Sequence, residues 1–391
     1  MVVGLYNGVF NNFLYEILGI TKSGRGWIEF PRELPGLLLF VLLALLSRFS
    51  EMRLIRLAFT VAAAGLAGLF FFGESKAAAV IMLAIYSTGE HMMMPVRQSV
   101  GLHMARSGKE GLAMGVLRSF GNAGQAAGYY IAPLILIAYA AVVNGPGGSE
   151  SSAAAVAADF GKYRAVFFVA FVLLIIGLVV TSFVKKEKQN VSRKRIQIER
   201  KFLRYYILEV FFGARKQVFL TFAPYVLITV YGAGPELISV LYGIWSLINI
   251  FIGPLIGRLI DRYGYKKVLI FDSFVLIIVC LFYGFAHRIF PQEFAYGAVC
   301  TIFVLDAIMF AFGMARDMYA RSLAESKEEV TTTLATGLSM NHLISIVIAI
   351  FGGVLWQNLG IEYLFSFAAV LGIGSLIFSA LLQSPEKLRE L

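Results

Sequence analysis

The chain has 391 residues, 59% of them hydrophobic and 15% charged, with a net charge of +10, whereas ordinary soluble domains run at about 45–50% apolar and about 25% charged. Too little polar surface remains to cover a water-soluble globule, and the basic residues lie between hydrophobic blocks rather than in one stripe, which excludes a nucleic-acid-binding surface and points to membrane topology. The two cysteines, Cys280 and Cys300, sit in or beside apolar segments, so no disulfide framework is expected.

Apolar blocks of about 20 residues, enough for a helix to cross roughly 30 Å of hydrocarbon, predict an all-α membrane protein of about twelve transmembrane helices. The spans fall near 2–19, 28–47, 54–73, 77–97, 111–141, 164–184, 203–231, 235–256, 267–286, 292–315, 329–357 and 361–382. Span 1 lacks a basic n-region and a small-residue cleavage site, and is read as a retained helix rather than a signal peptide. Its wheel sets Asn7, Asn11, Asn12, Tyr15 and Glu16 against Val9, Phe10, Phe13, Leu14 and Ile17. At the outer end of span 2, EFPRELPG places Glu29, Arg32 and Glu33 around Pro31 and Pro35. A solvated helix start with local pairing is the favoured reading, an outer gate the alternative.

Polar stripes come next, at helical spacing. Span 4 aligns Tyr86, Glu90, Met93 and Arg97, with His91 beside Glu90; span 5 aligns Arg118, Asn122, Gln125 and Tyr129. Gly121, Gly124 and Gly128 share another side of span 5 and permit close helix packing. The outer stretch 144–163 reads as a flexible loop, and the basic run KKEKQNVSRKRIQIERKFLR, residues 185 to 204, as a cytoplasmic linker between six-helix bundles 1–184 and 205–391. Span 7 carries Glu209, Arg215, Lys216 and Gln217; span 8 aligns Tyr242, Trp245 and Asn249; span 10 aligns Asp306, Phe310, Gly313 and Asp317; span 11 adds Asn341 and His342. With the N-terminus inside, 24 of the 34 Lys and Arg fall in cytoplasmic segments, which places both termini in the cytoplasm of a cell whose inner membrane holds the chain.

The two halves also echo each other. Gly89, Arg97 and Gly115 in the first correspond to Gly313, Arg321 and Gly337 in the second, each set running from a span through a short charged loop into a glycine-containing span.

Between spans 8 and 9 stands GRLIDRYGYKK, whose Gly257, Asp261, Arg262, Gly264, Lys266 and Lys267 resemble the loop signature of the major facilitator superfamily of secondary transporters. The corresponding first-half loop, LLALLSRFSEMR, departs from it: Leu43 and Ser47 stand at its Gly and Asp positions when Arg48 is aligned. The resemblance implies two pseudo-symmetric six-helix bundles around a central cavity. It also implies a gating latch at Asp261 and Arg262, and it fits the stripes, which fall on spans that line the cavity in that family.

An ionisable side chain at the bilayer centre costs on the order of 2.5–3.5 kcal/mol on insertion scales, so each one needs a partner, water or a function. Glu16, Glu90, His91 and Asp306 are the candidate proton carriers, since a desolvated carboxylate or an imidazole can exchange protons near neutrality. Asn11, Arg118, Asn122, Gln125, Arg215, Lys216, Tyr242 and Trp245 are the candidate substrate ligands, the cations suiting an organic anion or zwitterion and the aromatic pair a neutral or cationic drug. No zincin, C-x-x-C, Walker or G-x-S-x-G motif is present. The expectation is a secondary transporter, not an enzyme, acting as a monomer among membrane lipid with a small-molecule substrate and a coupling proton or ion, and with no cofactor, metal or nucleic acid. A drug/proton antiporter, a lipid translocase and a non-transporting sensor or scaffold are the alternatives.

Overall fold

The computed structural model describes residues 1–39, 41–42, 46, 49–103, 110–144, 159–184 and 199–382. The first-half loop positions Leu43, Ser47 and Arg48, residues 145–158 of the outer loop and residues 185–198 of the basic run lie outside that set. Helices succeed one another almost without interruption: α1 (Val2–Glu16), α2 (Lys22–Leu37), α3 (Glu51–Phe72), α4 (Lys76–His103), α5 (Glu110–Asn144), α6 (Phe160–Ser182), α7 (Leu203–Tyr231), α8 (Pro235–Tyr263), α9 (Tyr265–Ile289), α10 (Gln292–Met309), α11 (Met314–Leu323), α12 (Lys327–Leu359) and α13 (Ile361–Ala380). Short 3-10 turns occupy Arg200–Phe202 and Phe310–Gly313. Among the described residues nine helical stretches are long and apolar enough to cross a membrane, α10 and α11 counting as one. The helices α1 and α2 have 15 and 16 residues, short of the roughly 20 a span needs, and the Arg215, Lys216 and Gln217 run makes α7 too polar. The chain is an all-α, multi-pass membrane protein.

It forms two compact units. The first comprises Met1–Thr21, Pro31–Arg193 and Gly232–Ile250, the second Lys22–Phe30, Lys194–Tyr231 and Phe251–Leu391. Within the first, α1 packs on α5 and α6, and α3 on α4 and α6; within the second, α7 packs on α12 and α13, and α9 on α10 and α13. Counting α10 with α11 as one span, the second set repeats the first six spans later. The internal repeat is thus a repeat of packing. Single glycine pairs do not carry it: Gly89 lies against Ala58 and Ala62 of α3, whereas Gly313 falls in the 3-10 turn and faces the Arg316 side chain.

In a lipid-facing bundle, close helix contact depends on small residues rather than on water exclusion. Where α1 crosses α5, a Cβ on Gly4 would run into the backbone of Gln125 and Tyr129, and one on Gly128 into the backbone of Met1 and Leu5. The start of α8 lies on the same pair. Asn12 Nδ2 donates to the Ala233 carbonyl at 3.0 Å and Ser246 Oγ to the Asn122 carbonyl at 3.0 Å. In the second unit, the start of α2 is seated by Gly26 against the Ala349 carbonyl and by Lys22 Nζ over the Trp356 ring at 5.2 Å.

The structure corrects the solvated start expected at EFPRELPG. The helix begins six residues earlier than the expected span, at Lys22, and Glu29 is completely buried in an ion pair with buried Arg25 one turn before it. Glu33 is also buried and pairs with Arg32 at 2.6 Å. Sequence phase put Glu29 with Arg32 or Glu33; the extra helical turn supplies Arg25 as a partner.

The second unit's core joins Phe202, Tyr205, Tyr206, Leu269, Phe312 and Tyr319. At its edge Lys201, on the 3-10 turn, pairs with Glu329 at the start of α12. Burial opposes both charges, but the bond to Glu329 holds the Lys201 ammonium above its ordinary range, and the same bond keeps the Glu329 carboxyl below the usual carboxylate range. A depressed carboxyl contributes stability above its unfolded-state pKa and loses it as pH falls through the folded value. Acidification below the ordinary glutamate range therefore removes this tie, and so does a pH above the ordinary lysine range.

Replacing Gly4 by Ala should lower stability by about 1–3 kcal/mol, the usual cost of overpacking. Gly253→Ala, where a Cβ meets nothing within 4 Å, should be neutral or stabilising. Thermal unfolding of the purified protein in detergent reads both, and equal melting shifts would remove the close α1–α5 crossing as their cause.

Candidate functional site

Three cations and three carboxylates meet inside the second unit. Arg215 of α7 donates from Nη2 to Asp306 Oδ1 of α10 at 2.5 Å, and both residues are buried. Its guanidinium also lies over the Phe219 and Phe310 rings, 5.8 and 5.4 Å from their centroids. Earlier on α7, Glu209 accepts from Arg316 Nε of α11 at 2.7 Å, and Arg316 is laid over the Phe212 ring at 3.5 Å. Both guanidinium groups are thus compensated by a carboxylate on one side and an aromatic face on the other.

Lys216 Nζ donates to Asn341 Oδ1 of α12 at 2.6 Å, and Asn341 Nδ2 turns back to Glu209 Oε2 at 3.4 Å. The seven-residue spacing of Glu209 and Lys216 put them on one face; the structure inserts Asn341 between them. Gly213 makes room, since a Cβ there would sit 2.9 Å from Asn341 Cγ. Asp272 of α9 is buried in the field of Arg215 and Arg316, and its Oδ1 has no hydrogen-bond partner among the described residues.

The first unit holds its candidates apart. Glu16 is tied at the end of α1, accepting from Lys162 Nζ at 2.7 Å, Tyr163 Oη at 2.6 Å and Asn12 Nδ2 at 3.1 Å. Glu90 lies in the field of Arg32, Glu33 and Arg97. His91 is buried with Nδ1 between the Ser87 hydroxyl at 3.0 Å and the Ser87 carbonyl at 2.9 Å, and Ser87 Oγ donates to the Arg32 carbonyl. Asn11 is buried. On α5, Arg118 is exposed, Asn122 and Gln125 are half-buried, and Gln125 Nε2 donates to Tyr129 Oη at 3.1 Å. The Tyr129 ring stacks on Tyr242 at 5.3 Å and 14°, and Trp245 meets Tyr242 edge-on at 6.3 Å. The aromatic stripe of span 8 and the amide stripe of span 5 therefore form one surface.

At the end of α8, Gly264 takes φ +80°, a turn open to glycine, and passes the chain directly into α9. Gly257 is half-buried, Asp261, Arg262 and Lys267 are exposed, and Lys266 Nζ donates to the Leu382 carbonyl at 2.9 Å.

A model of the major facilitator superfamily matches residues 1–316 and 205–390. The chain belongs to the major facilitator superfamily. Solved structures agree in fold: the nucleoside transporter NupG (13% identity, TM-score 0.72, covering 96% of this chain and 95% of that one), the D-xylose-proton symporter (14%, 0.70, 98% and 97%) and a variant of the E. coli fucose:proton symporter FucP (12%, 0.57, 97% and 95%). No curated protein matches at the sequence level. As a superfamily member the chain is a membrane transporter and not an enzyme.

In this superfamily member, Asp272 and Arg316 complete a network that helical spacing left unfinished. Asp272 carried a signal, an ionisable residue within an apolar span. Arg316 fell one residue past the expected end of span 10. That span is not one helix: the 3-10 turn winds at about 3.0 residues per turn against 3.6, so its four residues rotate the start of α11 by roughly 80°. The stripe from Asp306 through Asp317 is broken there, and Arg316 turns inward.

Removing one partner of a buried pair costs about 3–5 kcal/mol because the other charge is stranded. Asp306→Asn should lose that much in thermal unfolding, and the double replacement Arg215→Met with Asp306→Leu should recover most of it. A double variant no more stable than the single one would show that the pair does not govern the packing here.

Proposed function

We propose that this superfamily member is a secondary active transporter moving a small solute by alternating access, coupled to a proton or ion gradient, and that the solute is an organic anion or zwitterion. On this reading it is a monomer in an inner membrane with both termini cytoplasmic, built on bundles 1–184 and 205–391. One observation carries the anion assignment. Arg118 stands on α5 at the head of the Asn122 and Gln125 stripe with no ion pair among the described residues. Within the second unit, taken by itself, Lys216, which donates to the amide oxygen of Asn341, is the candidate anion ligand. Arg215 serves Asp306 first, so its part in solute binding is secondary to these two.

A second reading, a neutral ring-bearing solute, is favoured by the Tyr129, Tyr242 and Trp245 surface with Gln125 at its edge. The nucleoside, xylose and fucose named for the similar structures are solutes of that kind. The exposed Asp261 and Arg262 keep the gating role the superfamily loop implies.

Uptake into proteoliposomes under an imposed pH gradient tests both readings, with labelled monocarboxylates and amino acids in one set and sugars and nucleosides in another. Loss of a charge-assisted hydrogen bond is worth about 1.5–3 kcal/mol, so Arg118→Gln or Lys216→Gln should weaken anion uptake about tenfold or more and leave neutral uptake unchanged. Uptake confined to neutral solutes, reduced only by Tyr242→Ala, replaces the anion reading with the second. Gradient-independent binding without uptake indicates a sensor or scaffold. Asp261→Asn should slow initial rates without changing expression, and an unchanged rate removes the latch.

A further inference from the structure

We propose that Asp272 is a proton-binding carboxyl of this chain, acting on the Arg215–Asp306 pair rather than on the solute. The inference rests on the proton-coupled reading above and adds a site on α9, a helix outside the polar stripes.

Asp272 is 8% exposed, and its Oδ1 has no donor among the described residues. A buried carboxylate oxygen without a donor carries the full penalty of desolvation. Protonation converts it into a hydroxyl, removing the charge and supplying a donor at the orphan atom. A second orphan lies on a group whose field reaches it: Arg215 Nε is buried with no acceptor among the described residues, although Nη2 of the same guanidinium is held by Asp306. Arg215 is therefore half satisfied.

The charges around Asp272 come from α7, α10 and α11. Arg215 on α7 and Arg316 on α11 attract the Asp272 carboxylate, Asp306 on α10 opposes it, and Cys280, farther along α9 itself, lies in the field of Arg215 and Asp306. Arg316 is shared with Glu209 and Asp317. From α13 the neighbouring contact is neutral, Ser375 Oγ to Ser273 Oγ at 2.9 Å, and Glu362 is engaged with His287 and Arg288 at the other end of α9.

With Asp272 charged, Arg215 is attracted by two carboxylates; with Asp272 neutral, it belongs to Asp306 alone. A proton from water on one side forms an O–H bond at Asp272, and when that bond breaks the proton returns to water on the other side and the carboxylate is restored. No electrons are exchanged. The difference is felt at the Arg215–Asp306 pair, which joins α7 to α10.

Infrared difference spectroscopy of the purified chain in lipid nanodiscs, titrated with pH in H2O and D2O, reads this without any solute. The expected result is a protonated-carboxyl C=O band, shifted in D2O, that is lost in Asp272→Asn and retained in Glu16→Gln and Glu90→Gln. Asp272→Glu should keep the band at a changed frequency, which decides the matter if the Asn variant does not fold. A band intact in Asp272→Asn, unmoved in Asp272→Glu, or lost instead with Glu16 or Glu90 overturns the assignment and leaves the transporter reading standing. Failure of proton coupling shows separately, as the band present but no gradient-driven uptake of any probe in proteoliposomes.

Discussion

A guanidinium carried inside an apolar bundle needs a carboxylate within reach, and that requirement ties together five helices of the second unit. Arg215 draws α7 to α10 through Asp306, and Arg316 draws α11 to α7 through Glu209. Asn341 brings α12 to the same line between Lys216 and Glu209, and Asp272 brings α9 into the field of both guanidiniums. Each guanidinium also rests on a phenylalanine face, so that carboxylate meets it in plane and π density meets its ring-facing side. An ion pair of this kind is weak evidence for stability, since its desolvation offsets much of its attraction.

The first unit is organised by contact distance instead. Glycines at the α1–α5 crossing remove the side chains that would hold the backbones apart, and hydrogen bonds to the backbone tie the first part of α8 onto that pair. The outcome is an aromatic and amide surface, Tyr129, Tyr242, Trp245 and Gln125, without a compensated ion pair at its centre among the described residues. One unit thus offers stacking surface and the other titratable charge. A transporter that binds a polar solute and couples it to a proton has use for both.

The turn at Phe310–Gly313 links these themes. An uninterrupted helix would keep Asp306 and Asp317 in phase; four residues of 3-10 helix change the phase and bring Arg316 inward to Glu209. The helix break and the buried pair occur together, the turn ending three residues before Arg316. The packing repeat between the two sets of helices survives this break because it resides in which helices touch, not in the phase of any one of them.

Composition and the lengths of apolar blocks by themselves determined the all-α membrane fold, because a bilayer admits few ways of satisfying a backbone. GRLIDRYGYKK pointed to the superfamily from a single loop whose glycine at 264 takes a positive φ. Helical spacing also fixed which residues share a face of one helix, as with Arg118, Asn122, Gln125 and Tyr129. It did not fix partners. That Glu29 belongs to Arg25, that Asp306 neutralises Arg215, that Asn341 stands between Glu209 and Lys216, and that Asp272 keeps an unsatisfied oxygen were decided only by the tertiary structure. A periodicity describes one helix about its own axis, whereas the energy of a buried charge depends on distances of a few ångströms to side chains on other helices, which no single helix encodes.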